Sequence, residues 1–189
     1  MSANRVRDER PLRGAGSAPG PRPGSTDDEA GGPDAARGTY ALLWRCERRV
    51  RLPVGRLGTV RLTAGHHVYV GSAFGPGGVR ARVARHLRTD KPLHWHLDYL
   101  RASLAPVALC WTHAPERLEH VWAHALATAP GVEAVPGLGS SDCDCPSHFI
   151  GVDAALGTSA PLAWLTTRLR GSSPVRSLGD LSGLRMGRS

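Results

Sequence analysis

The stretch from Gly65 to Arg88, GHHVYVGSAFGPGGVRARVARHLR, constrains the fold more than any other part of the chain. His67-Val68-Tyr69-Val70 is aromatic and β-branched and reads as a strand. The glycines and proline that follow force a turn, and Val79, Val83 and Leu87 then recur at helical spacing. A helix that starts straight after a tight turn leaves its first backbone N–H groups unpaired at the positive end of the dipole. The turn therefore predicts an anion site, with phosphate as its ligand. Arg82 and His86, four residues apart, share one side of that helix and would face the anion together.

A chain of 189 residues, 41% hydrophobic and 21% charged, holds one domain of ordinary size. Its ends read differently from its middle. Residues 1–36 mix Pro, Gly, Ser and both charges with almost no apolar residues, and read as a disordered tail. Residues 171–189 read as a second, basic disordered tail, which leaves 37–170 as the folded domain. The net charge of +8 favours an anionic partner, nucleic acid first. No apolar run approaches the roughly 20 residues that span a bilayer, and the N-terminus lacks an apolar signal core. The expectation is a cytoplasmic protein with no membrane partner. Cys46, Cys110, Cys143 and Cys145 are too sparse for a disulfide framework, and point to reduced thiols or a metal.

Within the domain, Gly38 to Cys46 is apolar without alternation, as a central strand buried on both faces would be. Val50 to Leu57, Thr59 to Leu62 and His67 to Val70 follow as short strands separated by glycine turns. They predict a small three-stranded antiparallel sheet flanked by helices, an α/β fold of the α+β kind. A second helix is expected from about Pro92, with Leu93, Leu97 and Leu100 on its core side. Pro106 to Thr112 reads as a strand, and Pro115 to about Ala129 as a third helix closed by Pro130-Gly131. The part beyond adds an extra strand and loop.

Gly38-Thr39-Tyr40 and, some thirty residues on, Tyr69-Val70-Gly71 resemble the paired strand motifs of the GIY-YIG nuclease superfamily, with Thr and Val in place of the two isoleucines. Arg82 and a helical Glu119 follow in that family's order. YVGSA, RARVARHLR, KPLHWHLDYL and GSSDCDCPSH together resemble a small branch of the superfamily whose members are sometimes fused to a repair domain of the endonuclease III type. The resemblance runs from about Gly38 to Ile150. It implies divalent-metal-dependent hydrolysis of DNA phosphodiesters, with DNA repair as the setting and repair proteins among the partners.

By that resemblance Tyr40 and Tyr69 orient or deprotonate the attacking water. Arg82 grips the phosphoryl oxygens, as a guanidinium does with two parallel bonds, and His86 assists proton transfer. Glu119 holds Mg2+ or Mn2+, with water and substrate oxygens filling the other places. The turn at Ser72 to Gly78 is longer than in the repair nucleases, which leaves Arg80 and Arg85 as rivals to Arg82. Glu116 is likewise a rival to Glu119, and Val121 stands where relatives carry a second acid.

A second constellation lies in His94, His96 and Asp98 and in Asp142, Cys143, Cys145 and His148. Cys143, Cys145 and His148 have the donor types of a structural zinc site, with His94 or His96 as the fourth ligand. The same residues also read as a polar loop with small half-buried cysteines, or as a loop in which Asp142 and His96 orient substrate. Besides an endonuclease, the sequence thus admits a nucleic-acid-binding module without cleavage and a zinc-stabilised interaction domain.

Overall fold

The computed structural model describes residues 31–153 and 160–181. The fold is mixed α and β. Eight strands lie among the described residues: β1 (Gly38–Cys46), β2 (Val50–Val54), β3 (Gly58–Leu62), β4 (Gly65–Ala73), β5 (Ala105–Thr112), β6 (Val132–Ala134), β7 (Phe149–Val152) and β8 (Arg176–Gly179). Four helices accompany them: α1 (Gly78–Leu87), α2 (His96–Leu100), α3 (Glu119–Ala127) and α4 (Pro161–Leu169). None is long and apolar enough to cross a membrane.

The sheet is larger than the three strands expected. It has six, in the order β6-β7-β4-β1-β5-β8, and every pairing is antiparallel. β1 sits between β4 and β5, so the strand expected to be central is central. β2 and β3 leave this sheet and pair only with each other as a two-stranded ribbon. Their apolar residues explain why: Val54, Val60 and Leu62 turn into the core beside Tyr40 and Leu42, and the ribbon covers one face of the sheet.

Both faces of β1 are buried. Tyr40, Leu42 and Trp44 pack with α1, α2 and the ribbon, whereas Ala41 and Leu43 pack with Trp122 and Leu126 of α3 and Leu165 and Leu169 of α4. A strand enclosed on both sides has no polar face to alternate with.

Two expected tails belong in part to the fold. Residues 1–30 and 182–189 lie outside the described residues, but Pro33 is buried, and Arg176–Gly179 adds β8 to the edge of β5. Leu178 packs on the core as the one apolar anchor of that strand, too little for a pattern to reveal.

The predicted second helix begins late. Lys91 to Trp95 form an irregular loop, Leu93 is 57% exposed, and only His96–Leu100 is helical. Asp98 organises the loop. Its Oδ2 accepts hydrogen bonds from the backbone N–H of His94 and Trp95, each at 3.0 Å, and lies 3.1 Å from Arg85 Nη2. Its Oδ1 lies 2.6 Å from Lys91 Nζ. Burial works against this carboxylate, but the bonds from Lys91 and the two amides hold its carboxyl below the usual range.

Removing one member of a buried ion pair strands the other charge, at about 3–5 kcal/mol. Asp98→Ala is therefore expected to lower the unfolding free energy from urea titration by an amount in that range, whereas Glu47→Ala, which breaks only the exposed Arg45–Glu47 pair, should leave it where it is.

Candidate functional site

Both tripeptides singled out in the sequence owe their glycine to close packing. A side chain on Gly38 would strike the carbonyl of Thr112 on β5, and one on Gly71 would strike the phenol of Tyr40. Tyr40 and Gly71 are register partners across β1 and β4, so the phenol lies over the bare backbone of β4. Tyr69, two residues back on β4, projects from the same face, and the two rings are 6.4 Å apart, centre to centre.

Helix α1 crosses this face. His86 is buried, and its Nε2 lies 2.7 Å from the hydroxyl of Tyr40. The imidazole is also 5.2 Å from the ring of Tyr69 and 5.2 Å from that of Trp95. Its Nδ1 is buried without a hydrogen-bond partner among the described residues. Burial, and then the charges of Lys91, Arg82 and Arg85, push His86 down to about 3, although Asp98 opposes them. The ring is neutral at ordinary pH. Burial likewise pushes both tyrosines well up, so each is a neutral phenol.

One cation of α1 faces this cluster. Arg82 acts electrostatically on Tyr40, Tyr69 and His86, is half-buried, and stacks on the Trp95 ring with its Cζ 4.5 Å from the centroid. It has no carboxylate partner among the described residues. Its two rivals are accounted for: Arg80 is exposed, and Arg85 is spent on Asp98 and the other contact with Trp95.

The anion site expected at the start of α1 is not there. The N–H of Val79 donates to the carbonyl of Ala36 at 3.0 Å, and that of Arg80 to the carbonyl of Asp34 at 2.9 Å. The segment before β1 folds back over the helix end, and Gly78 lacks a side chain where Ala35 and Ala36 approach. The turn was long enough to leave the helix end open to a ligand; it was covered instead by residues read as tail.

Glu119 opens α3 and reaches the tyrosines from the sheet's end. Leu118 N–H donates to Thr39 Oγ1 at 3.1 Å, which pins the helix start beside Tyr40. Among carboxylates Glu119 acts most strongly on both phenols. Burial opposes its charge, but hydrogen bonds from His148 and Ser72 outweigh that and hold it below the usual range. Glu116 is exposed. The third helix starts later than expected, at Glu119 instead of Pro115.

The second constellation divides. His94 is exposed against Trp95, and His96 Nδ1 accepts the backbone N–H of Gly139 at 3.2 Å, so neither joins the cysteines. Asp142 is exposed. The fourth member is His120, which sequence spacing did not suggest because it lies on another element. His120, Cys143, Cys145 and His148 each offer one ligand atom, and these atoms lie within 4.8 Å of one another. The cluster adjoins the tyrosines through His148, whose Nδ1 lies 3.1 Å from Glu119 Oε1. A groove of about 730 Å³ is lined by Arg56, His94, His96, Tyr99, Ser140 and Ser141 among others.

Residues 39–167 match the model of a family described as Domain of unknown function DUF123. No curated protein and no solved structure matches the chain.

His86 ties this site to pH. Its value of about 3 in the fold lies below its unfolded value of 6.5, so the unfolded chain binds the extra proton. The stability involved is fully present above about pH 6.5 and is lost as pH falls toward 3, by up to about 1.4 kcal/mol per pH unit. Urea unfolding between pH 7.5 and 4 should show that loss, and His86→Gln should flatten it. Equal slopes in the two proteins would contradict a neutral buried imidazole.

Proposed function

We propose that this chain, which belongs to the DUF123 family, is a divalent-metal-dependent endonuclease of the GIY-YIG kind acting on DNA, in a repair setting. One observation carries the reading. Two phenols, an imidazole, a guanidinium and a carboxylate from β1, β4, α1 and α3 converge on one face. Arg82 is the strongest part of it, because a half-buried cation without a protein anion is matched by an anion from solution.

Arg82 would bind the scissile phosphate through its guanidinium, in place of the backbone amides that the fold has already used. Stacking on Trp95 fixes the plane in which those donors point. Tyr40 would position the attacking water. A phenolate and an imidazolium are both costly in this buried place, so the pair would act as neutral groups: the Tyr40 hydroxyl donates to His86 Nε2, and its oxygen accepts a hydrogen bond from the water. Tyr69 orients the same water or a phosphoryl oxygen.

Glu119 would hold the divalent ion, and a lone ionised carboxylate fits magnesium or manganese, which take their other oxygens from water and phosphate. When bound, the ion supplies charge neutralisation on the phosphate and the leaving oxygen. The thiol and imidazole cluster beside Glu119 suits zinc and not magnesium, by donor type. With a net charge of +8 and a basic α1, nucleic acid approaches this face favourably.

The test is nicking of supercoiled, branched and single-stranded DNA by the purified protein with magnesium or manganese. Arg82→Ala and Glu119→Ala are expected to lose about 10²-fold or more in rate, with Glu116→Ala unchanged. Salt-sensitive binding without any product would replace this reading with a binding module. Equal residual cleavage in all variants would trace the activity to a contaminant.

A further inference from the structure

The proposed cleavage chemistry makes no use of the thiols of Cys143 and Cys145. They lie with Ser140 to His148 in the loop that precedes β7, and His120 faces them from the first turn of α3. Cys143 Sγ lies 3.5 Å from His148 Nε2, and Cys145 Sγ lies 3.2 Å from His120 Nδ1. The two imidazoles stand edge to face, 5.5 Å between centres.

These separations have a meaning for a metal. Zinc binds sulfur at about 2.3 Å and imidazole nitrogen at about 2.0–2.1 Å, so a tetrahedron has S···N edges of about 3.5 Å. The two S···N separations, 3.5 and 3.2 Å, fall close to that length. Two thiols and two imidazoles are the donor set of a closed structural zinc site. The set contains no oxygen for magnesium or calcium. The tight C-x-C spacing does not prevent this, because the turn through Asp142 to Asp144 brings both sulfurs to one side.

The outer partner is also in place. His148 is buried, with Nε2 on the thiol side and Nδ1 3.1 Å from Glu119 Oε1. A carboxylate behind a ligating histidine fixes its tautomer and orientation and raises its basicity. Glu119 thus lies between two of the four ligands, next in sequence to His120 and in contact with His148.

We propose that His120, Cys143, Cys145 and His148 form a closed zinc site, with Glu119 as the carboxylate that orients His148. The ion clamps the loop before β7 onto the start of α3. In that way it sets the position of the carboxylate that the cleavage reading uses; only this last consequence rests on that reading, and the metal site stands without it.

The experiment is metal analysis of the full chain, purified under reducing conditions, with zinc as the probe. About one zinc per chain is expected, with cobalt giving the visible bands of a tetrahedral ion and a sulfur-to-metal charge-transfer band. Competition against a chromophoric chelator should show zinc binding lost in Cys143→Ser and weakened about 10- to 100-fold in Glu119→Gln. Should Cys143→Ser fail to fold, thiol modification of the unaltered protein answers the same question. Zinc should protect Cys143 and Cys145, and chelation should expose them, with Cys46 and Cys110 buried in both forms. Reduced protein that takes up no zinc, zinc without thiol protection, or unchanged affinity in Cys143→Ser would overturn the site. Unchanged affinity in Glu119→Gln would overturn the role of that carboxylate. None of these readouts involves DNA, so a failure of cleavage and a failure of the metal site are told apart.

Discussion

The phenol of Tyr40 lies across Gly71, and the placement of the cluster depends on that contact. It requires a glycine on β4 and fixes the register of β1 against it. It also aims the hydroxyl at α1, where His86 meets it at 2.7 Å. Because β1 is buried on both faces, a slip of one residue would turn Tyr40, Leu42 and Trp44 to the side of α3 and α4. The packing of the core and the geometry of the site are therefore one constraint.

A second layer of order comes from Asp98. It gathers Lys91, Arg85 and two backbone amides, and so holds the loop that carries Trp95. Trp95 in turn lies between Arg82 and Arg85. Arg85 is paired with Asp98, and Arg82 has no carboxylate partner among the described residues. Desolvation does the rest, keeping both phenols and the imidazole uncharged. In the proposed cleavage the net positive field at the cluster then comes from Arg82 and a bound ion.

Much of this was legible in the sequence. An apolar run without alternation marked β1 as central, and two Gly/Tyr tripeptides marked the strands that meet beside α1. Four-residue spacing put Arg82 and His86 together, and the structure brings both to the tyrosines. What escaped were contacts between distant segments. His120 carries no signal of its own and gains meaning only when α3 and the 140–148 loop meet. Asp34 and Ala36 cap α1 through backbone carbonyls, which composition does not encode. β8 has one apolar anchor, and the ribbon of β2 and β3 had the pattern of sheet strands but a different partner. The late start of α2 reflects Asp98, the third residue of the helix, whose carboxylate accepts the backbone N–H of Trp95, the cap residue, and of His94, and so holds the preceding residues in a loop.

The most direct test is a crystal structure of the Tyr40→Phe variant with manganese and a DNA duplex. The expected result is a manganese anomalous peak beside Glu119 and a backbone phosphate on the guanidinium of Arg82, within reach of Tyr69. DNA bound elsewhere, with Arg82 and Glu119 free of phosphate and ion, would contradict the proposed site.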